Sequence, residues 1–190
     1  QLVQNKIHHA YLFEGHHGSG KTTIAKIFSN AVNCEHPTEN GPCMECEACK
    51  NSANSMDILE MDAASNNSVE DIRRIVEFSQ YRPVNAKYKV LIIDEVHMLS
   101  RAAFDALLKT LEEPPEYMIF ILCTTEKHKI PATIVSRCQK FTFDGIDEKL
   151  MMEHLKNVCE KYGHSYEEEA LYHVVRAAKG SMRDALGLLE

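Results

Sequence analysis

One short stretch near the start of this chain constrains everything that follows it. Gly15-His16-His17-Gly18-Ser19-Gly20-Lys21-Thr22 satisfies the phosphate-loop pattern G-x-x-x-x-G-K-[ST] at every fixed position. The chemistry explains the residue types. Where no Cβ intervenes, consecutive backbone N–H groups can curl round a polyphosphate. Lys21 adds a point charge for the β- and γ-phosphates, and the Thr22 hydroxyl is a ligand for Mg²⁺. The flanks agree with the loop. Ala10-Tyr11-Leu12-Phe13-Glu14 predicts a short buried strand entering it, and Ile24, Ile27, Phe28 and Ala31 repeat at helical spacing behind it. The anion then meets a helix N-terminus. A chance glycine turn is the bland alternative, but average residue usage yields this pattern on the order of once in a hundred chains of such length. The nucleotide-binding set is Gly15, His16, His17, Gly18, Ser19, Gly20, Lys21, Thr22 and Thr23.

A second stretch supplies acids. Lys89-Val90-Leu91-Ile92-Ile93-Asp94-Glu95-Val96-His97 holds a continuous apolar run, as expected of a central parallel strand covered on both faces. It delivers two carboxylates to the strand's C-terminal edge, where open α/β sheets keep their sites. Asp94 is placed to hold Mg²⁺ through water, and Glu95 to orient and polarise an attacking water. Met118-Ile119-Phe120-Ile121-Leu122-Cys123 predicts another buried strand. It ends at Thr124-Thr125, where a hydroxyl would face the γ-phosphate or the water from the neighbouring strand. With Ile58-Leu59-Glu60-Met61-Asp62 and Gln139 to Phe143 as further strands, the pattern is an α/β fold with a parallel five-stranded sheet and helices on both faces. Asn66, Asn67 and Ser68 offer N-caps for a helix carrying Ile72, Ile75, Val76 and Ser79 on one face, and Ser100 can cap another from Arg101 to Glu113. The inner face of that second helix is Phe104, Leu107, Leu108 and Leu111, and Pro114-Pro115 stop it.

Seven cysteines are present, and Cys34, Cys43, Cys46 and Cys49 crowd into one loop-rich excursion with the spacing C-x8-C-x2-C-x2-C. Four thiolates at such spacing suit tetrahedral Zn²⁺ with no open position. An iron–sulfur cluster is the runner-up, because C-x2-C-x2-C also opens ferredoxin-type runs, although no Cys-Pro follows here. Cys123, Cys138 and Cys159 are isolated and read as core thiols.

The 190 residues carry a net charge of −7, a poor composition for wrapping nucleic acid without help from an assembly. Any DNA contact falls to a few groups, of which helix N-termini and the bases Arg82 and Arg101 are the candidates. No apolar run reaches the roughly 20 residues of a membrane-spanning helix. Nothing resembles a signal peptide, so the cytoplasm is expected. The chain opens on Gln1 and closes inside an apolar helical pattern, and is expected to be cut at both ends. Asp144-Gly145 breaks the strand pattern, which divides the chain into residues 1–144 and a helical domain of residues 145–190. In the latter, Met151, Leu155 and Val158 form one apolar face, and Ser165-x-x-Glu168 is a capping box for a helix with Leu171, Val174, Val175 and Ala178 inside. Ser181-Met182-Arg183-Asp184 opens a third helix, where Arg183 is either surface charge or aimed at a phosphate.

Together these residues resemble the clamp-loader branch of the AAA+ ATPases, within it the gamma/tau family of bacterial DNA polymerase III. The resemblance is carried by His8-His9-Ala10-Tyr11-Leu12-Phe13, the four-cysteine insert, Asp62-Ala63-Ala64-Ser65 and Ile93-Asp94-Glu95-Val96-His97-Met98-Leu99-Ser100. It continues through Leu107-Leu108-Lys109-Thr110-Leu111-Glu112-Glu113-Pro114-Pro115, Ser136-Arg137-Cys138 and Gly180-Ser181-Met182-Arg183-Asp184-Ala185-Leu186. These segments span nearly the whole chain. The resemblance implies that Thr124 is the sensor-1 residue, and that Arg137 is an arginine finger reaching the ATP of an adjacent subunit. It implies that Arg183 is a sensor-2 residue contacting the γ-phosphate in cis, and that the cysteines, a module at about 34–49, hold zinc. It further implies ATP hydrolysis by one member of a hetero-pentameric ring that opens a sliding clamp and places it on primer–template DNA. Against that family, the sequence is expected to be cut short of the adenine-covering upstream segment, the rest of the lid, the collar domain and the tau tail. A DExH helicase fits the Asp94-Glu95-Val96-His97 box but lacks a second motor domain and paired arginines. A non-hydrolysing scaffold is a rival from another class.

Overall fold

The computed structural model describes residues 7–190; Gln1 to Lys6, included in the domain 1–144, lie outside the described residues. The described residues form two compact units, residues 7–14 with 22–141, and residues 15–21 with 142–190. The apolar stretches become β1 (Ala10–Gly15), β2 (Ile58–Asp62), β3 (Lys89–Asp94), β4 (Met118–Thr124) and β5 (Gln139–Phe143). They lie side by side in the order β2-β3-β4-β1-β5, and β2 with β3, β3 with β4 and β4 with β1 pair in parallel. The three runs that are apolar end to end occupy the middle, because only there are both faces covered. β2 and β5 alternate or are polar, and they take the edges.

Register fixes which chemistry meets at the strand ends. Asp62 pairs with Asp94, and Glu14 with Thr124, so the polar residues that close β1 to β4 emerge along one edge. On one face of the sheet Leu12, Leu91, Ile93, Phe120 and Leu122 pack against α3 (Val69–Gln80), α4 (Arg101–Glu112) and the short α5 (Ala132–Val135). Ser68 and Asp71 cap α3 reciprocally, and the Ser100 hydroxyl accepts from the Ala103 N–H at the start of α4. On the other face, α1 (Lys21–Asn33) sets Phe28 against the Tyr11 ring at 4.8 Å.

The face of α1 departs from expectation. Ala25, Ser29 and Val32 are buried, whereas Ile24 and Ile27 are 42% and 41% exposed. The helix is apolar on more than one side, so spacing alone was ambiguous, and the small residues give the closer approach to the sheet. Ile27 faces the cysteine excursion at Gly41 instead.

In the second unit, α6 (Glu148–Tyr162), α7 (Glu168–Ala178) and α8 (Met182–Leu189) bury Met151, Leu155, Cys159, Leu171, Val175, Ala178 and Ala185 against one another. Cys159 rather than Val158 completes the buried face of α6. The capping box expected at Ser165 and Glu168 does not form. Glu167 stands at the N-cap without a side-chain cap, and the Glu168 carboxylate is engaged by Lys156 from α6.

Candidate nucleotide and metal sites

Asp94 closes β3 with both carboxylate oxygens occupied. Oδ2 accepts from the Thr22 hydroxyl at 2.7 Å, across 72 residues of sequence, and Oδ1 accepts from the Glu95 N–H at 2.9 Å. A hydroxyl and a carboxylate held together at a strand end form a hard-oxygen pair suited to Mg²⁺. Glu95 then turns the chain. Its φ of +46° is left-handed, a conformation rarely taken by a residue with a side chain, and it starts the single turn Val96–Met98. The Glu95 carboxylate accepts from the Thr125 hydroxyl at 3.2 Å, and His97 Nδ1 lies 3.3 Å away. Thr124 is fully buried; its hydroxyl oxygen accepts from the Glu126 N–H at 3.0 Å and stands 3.1 Å from the same His97 nitrogen. The hydrogen bond from Lys129, with the charge of the same ammonium, holds the Glu126 carboxyl below the usual range.

The loop Gly15 to Lys21 belongs to the other unit. Lys21 is buried, and its ammonium donates to the carbonyls of Gly15 at 3.0 Å and His16 at 2.8 Å. Ser19 is buried and donates to the His16 carbonyl, while His16, His17 and Thr23 are exposed. Gly18 has φ +68°, and a Cβ there would overlap the Ser181 hydroxyl. Its carbonyl accepts from the Met182 N–H at 3.2 Å. Gly15 leaves the same kind of room for the Phe143 backbone. The first turn of α8, with exposed Arg183 next to Met182, therefore adjoins the phosphate loop directly.

Arg137 takes its partners from α5 and α4. Its guanidinium donates to the Thr133 carbonyl and to Glu112 at the end of α4, each at 2.7 Å, with its side chain one-third exposed. Two of the sequence motifs thus touch: the Glu112 of Leu-Glu-Glu-Pro-Pro holds the arginine of Ser-Arg-Cys.

The cysteine excursion is folded round its sulfurs. Cys34 begins it just past α1, Cys46 stands at the N-cap of the one-turn α2 (Glu47–Lys50), and Cys49 lies within that turn. All four Sγ atoms lie within 4.8 Å of one another, with Cys34 and Cys46 at 3.9 Å and Cys43 and Cys49 at 4.0 Å. A tetrahedron of Zn–S bonds of about 2.3 Å has edges of roughly 3.8 Å, so the cage fits this metal. Backbone N–H groups of Glu45 and Cys46 lower the Cys43 thiol to about 6, as thiolate ligation requires. Burial pushes Cys49 the other way, to about 12. Cys123, Cys138 and Cys159 are buried, as core thiols should be.

A family model described as the DNA polymerase III delta subunit matches residues 1–147, and one described as the ATPase lid domain of a DNA polymerase III clamp-loader subunit matches residues 151–190. The DNA polymerase III tau subunit of Bacillus subtilis is 53% identical over 100% of this chain, which spans 34% of that protein. The chain belongs to the clamp-loader family of DNA polymerase III. The tau subunit of Escherichia coli is 45% identical over the whole chain, and the chain spans 30% of its length. Among solved structures, a gamma subunit-related protein of Thermotoga maritima superimposes with a TM-score of 0.67 at 23% identity, covering 98% of this chain and 54% of that one. The RuvB Holliday junction branch migration motor of the same organism reaches 0.65 at 19% identity, covering 98% and 54%. These two likenesses bear on the fold, which is that of the AAA+ clamp-loader ATPases: a parallel sheet followed by a helical lid.

Within this clamp-loader chain, Thr22, Asp94, Glu95 and Thr124 gather at the strand ends, and the four cysteines gather in one cage. Sequence reasoning missed His97, Glu126 and the Glu112 partner of Arg137. His97 stood in the stretch that carries the resemblance and in the helicase box, with no role of its own. Its place two residues past the paired acids Asp94 and Glu95 was the available signal.

Proposed function

We propose that this chain is the ATP-hydrolysing part of a motor subunit of the bacterial DNA polymerase III clamp loader, working in the cytoplasm. In this reading it joins other loader subunits in a hetero-pentameric ring that places a sliding clamp on primer–template DNA. The observation that carries the proposal is the 2.7 Å bond between Thr22, next to the phosphate-loop lysine, and Asp94 at the end of β3. Lys21 and the loop amides hold the triphosphate, and the Lys21 ammonium exchanges its Gly15 and His16 carbonyls for phosphate oxygens. Thr22 and Asp94 hold Mg²⁺, which neutralises charge on the β- and γ-phosphates. Glu95 orients and deprotonates water, Thr124 senses the γ-phosphate, and Arg183 contacts it from the lid. Arg137 serves the ATP of a neighbouring subunit. Cys34, Cys43, Cys46 and Cys49 hold a structural zinc that staples the excursion. The ATPase domain runs over residues 1–144, and the lid over 145–190. Lid matching, curated relatives and the strand-end acids all support this reading.

The test is ATP turnover by the full-length protein, assembled with its loader partners, clamp and primed DNA. Lys21→Ala should abolish ATP binding. Arg137→Ala should keep binding and lose about 10³-fold or more in turnover. Unchanged turnover in the second variant excludes the finger role, and normal nucleotide affinity in the first contradicts the loop assignment.

A further inference from the structure

His97 is a side chain that none of these roles uses, yet it touches two of the residues that carry them. Its side chain is 6% exposed, in the turn that follows β3. Nδ1 lies 3.1 Å from the Thr124 hydroxyl and 3.3 Å from a Glu95 carboxylate oxygen, while Nε2 lies 3.1 Å from a Glu126 carboxylate oxygen. One imidazole therefore bridges the end of β3 and the loop after β4. That loop is bound to itself through the same groups: the Glu126 N–H donates to Thr124, and Lys129 donates to Glu126 at 2.6 Å. Glu95 in turn sits on a left-handed backbone, which persists where surrounding contacts over-determine it. A buried histidine that served packing alone would place its nitrogens on backbone carbonyls or water. Here both face the acids and the hydroxyl of the strand-end site.

We propose that His97 is a positioning residue for Glu95: its Nδ1 edge sets the direction of the Glu95 carboxylate and ties it to the Thr124 hydroxyl, while Nε2 anchors the ring on Glu126. This role rests on the hydrolytic reading of Glu95. It deepens that reading by making the acid's aim depend on where Thr124 and its loop stand. A change at the γ-phosphate sensed by Thr124 then reaches the water-activating carboxylate through a single ring. Of the two edges, the Nδ1 edge carries the effect on turnover.

The measurement is steady-state ATP turnover of the full-length protein assembled with its partner subunits, clamp and primed DNA, comparing wild type with Glu95→Gln, His97→Ala, His97→Asn and His97→Gln. An Asn amide reaches the Nδ1 position and a Gln amide the Nε2 position, so the pair separates the two edges with polar side chains of related size. His97→Ala should lower kcat by about 10- to 100-fold through misplacement of the base, with KM for ATP within about threefold because the phosphate loop is untouched. His97→Asn should recover most of the loss and His97→Gln should not. If the Ala variant fails to fold, the Asn-over-Gln order decides the matter by itself. Turnover that Glu95→Gln abolishes but His97→Ala leaves within about twofold of wild type overturns the role of His97 alone. Gln equal to Asn also overturns it. Wild-type turnover insensitive to Glu95→Gln overturns the hydrolytic reading of Glu95, and this proposal with it.

Discussion

Replacing Asp57 by Ala should cost this fold more than any surface charge could, although the residue stands one position before β2 and touches no proposed catalytic group. Asp57 is 1% exposed. Its carboxylate accepts from three consecutive backbone N–H groups: Val84 at 2.9 and 3.1 Å, Asn85 at 2.9 Å and Ala86 at 3.0 Å. Its own carbonyl accepts from the Val90 N–H at 2.8 Å, so one residue fastens the polar connection and the entry to β3. Hydrogen bonds to a charged acceptor contribute about 1.5–3 kcal/mol each, but the Val84 to Ala86 loop faces solvent and water can reach the freed donors. Water repairs part of the loss, so the total falls below three times the low end, at about 3–4 kcal/mol for Asp57→Ala. At this chain length each kcal/mol moves the melting temperature by about 2–4 °C, so the expected drop is about 6–16 °C.

Asp57→Asn sharpens the argument. One amide oxygen placed at the Oδ2 position still serves Val84, Asn85 and Ala86, but as a neutral acceptor, while the amide nitrogen replaces the oxygen that only Val84 uses. The loss should be about 1–2 kcal/mol, between wild type and Ala. Thermal unfolding followed by circular dichroism, backed by urea titration, reads both variants. If Asp57→Ala melts within about 2 °C of wild type, the buried carboxylate is not what holds the connection, and the accounting by hydrogen bonds is refuted.

The cysteine cage should hold one zinc per chain by metal analysis of anaerobically purified protein, and Cys46→Ser should lose it while Cys123→Ala keeps it. Iron in the wild type, or zinc retained by Cys46→Ser, would contradict the tetrahedral site. In the lid, the hydrogen bond from Lys156 is the main reason that Glu168 is held below its ordinary 4.5, and the same bond raises Lys156 above 10.5. A lowered acid stabilises the fold above its unfolded pKa and loses that contribution as pH falls through its folded value; the raised lysine loses its own as pH climbs past its folded value. The melting gap between wild type and Lys156→Met should therefore be widest between about pH 5 and pH 10 and close on both sides. A gap that persists unchanged at pH values below and above that range would show that the pair does not act through charge.

Much of this fold was legible because its signals were redundant. The runs Val90 to Ile93 and Met118 to Cys123 are apolar at every position, which leaves a central strand as the natural reading, and both lie in the middle of the sheet. Ser68, Ser100 and Ser181 stand where serine precedes an apolar helical period, and each hydroxyl accepts an N–H of the first turn, although in sequence Asn66 and Asn67 were equal candidates with Ser68. The Ser165 cap failed because its glutamate had a better partner on another helix, and no local pattern records a tertiary ion pair. Ile24 and Ile27 misled for a related reason: in a helix apolar on several sides, the closest sheet contact goes to small residues, and size is not what periodicity measures. Among the site residues, the loop and the acids were visible because their chemistry fixes their spacing. His97, Glu126 and Asp57 were not, since each works through partners that are distant or unpatterned in sequence.

The helix α4 shows what that tertiary layer adds. Its N-cap, Ser100, follows the turn that Glu95 begins, and the Ser100 N–H donates to the Asn67 carbonyl just before α3. Its last residue, Glu112, grips Arg137. Twelve residues of helix make a rod of about 18 Å, packed along its length by Phe104, Leu107 and Leu111 in the sheet core. In the proposed mechanism Glu95 serves this chain's own nucleotide, and Arg137 serves a neighbour's. A displacement at the Glu95 turn cannot be absorbed within a helix whose buried face is locked against the sheet, so it must be taken up by the whole rod or at its two ends. The two groups of that proposal stand near those ends, Glu95 in the turn before Ser100 and Arg137 on Glu112. Conversely, a neighbour's nucleotide that draws Arg137 away from Glu112 removes the ion pair that finishes α4, and leaves a free carboxylate at the end of the helix that starts beside the hydrolytic acid.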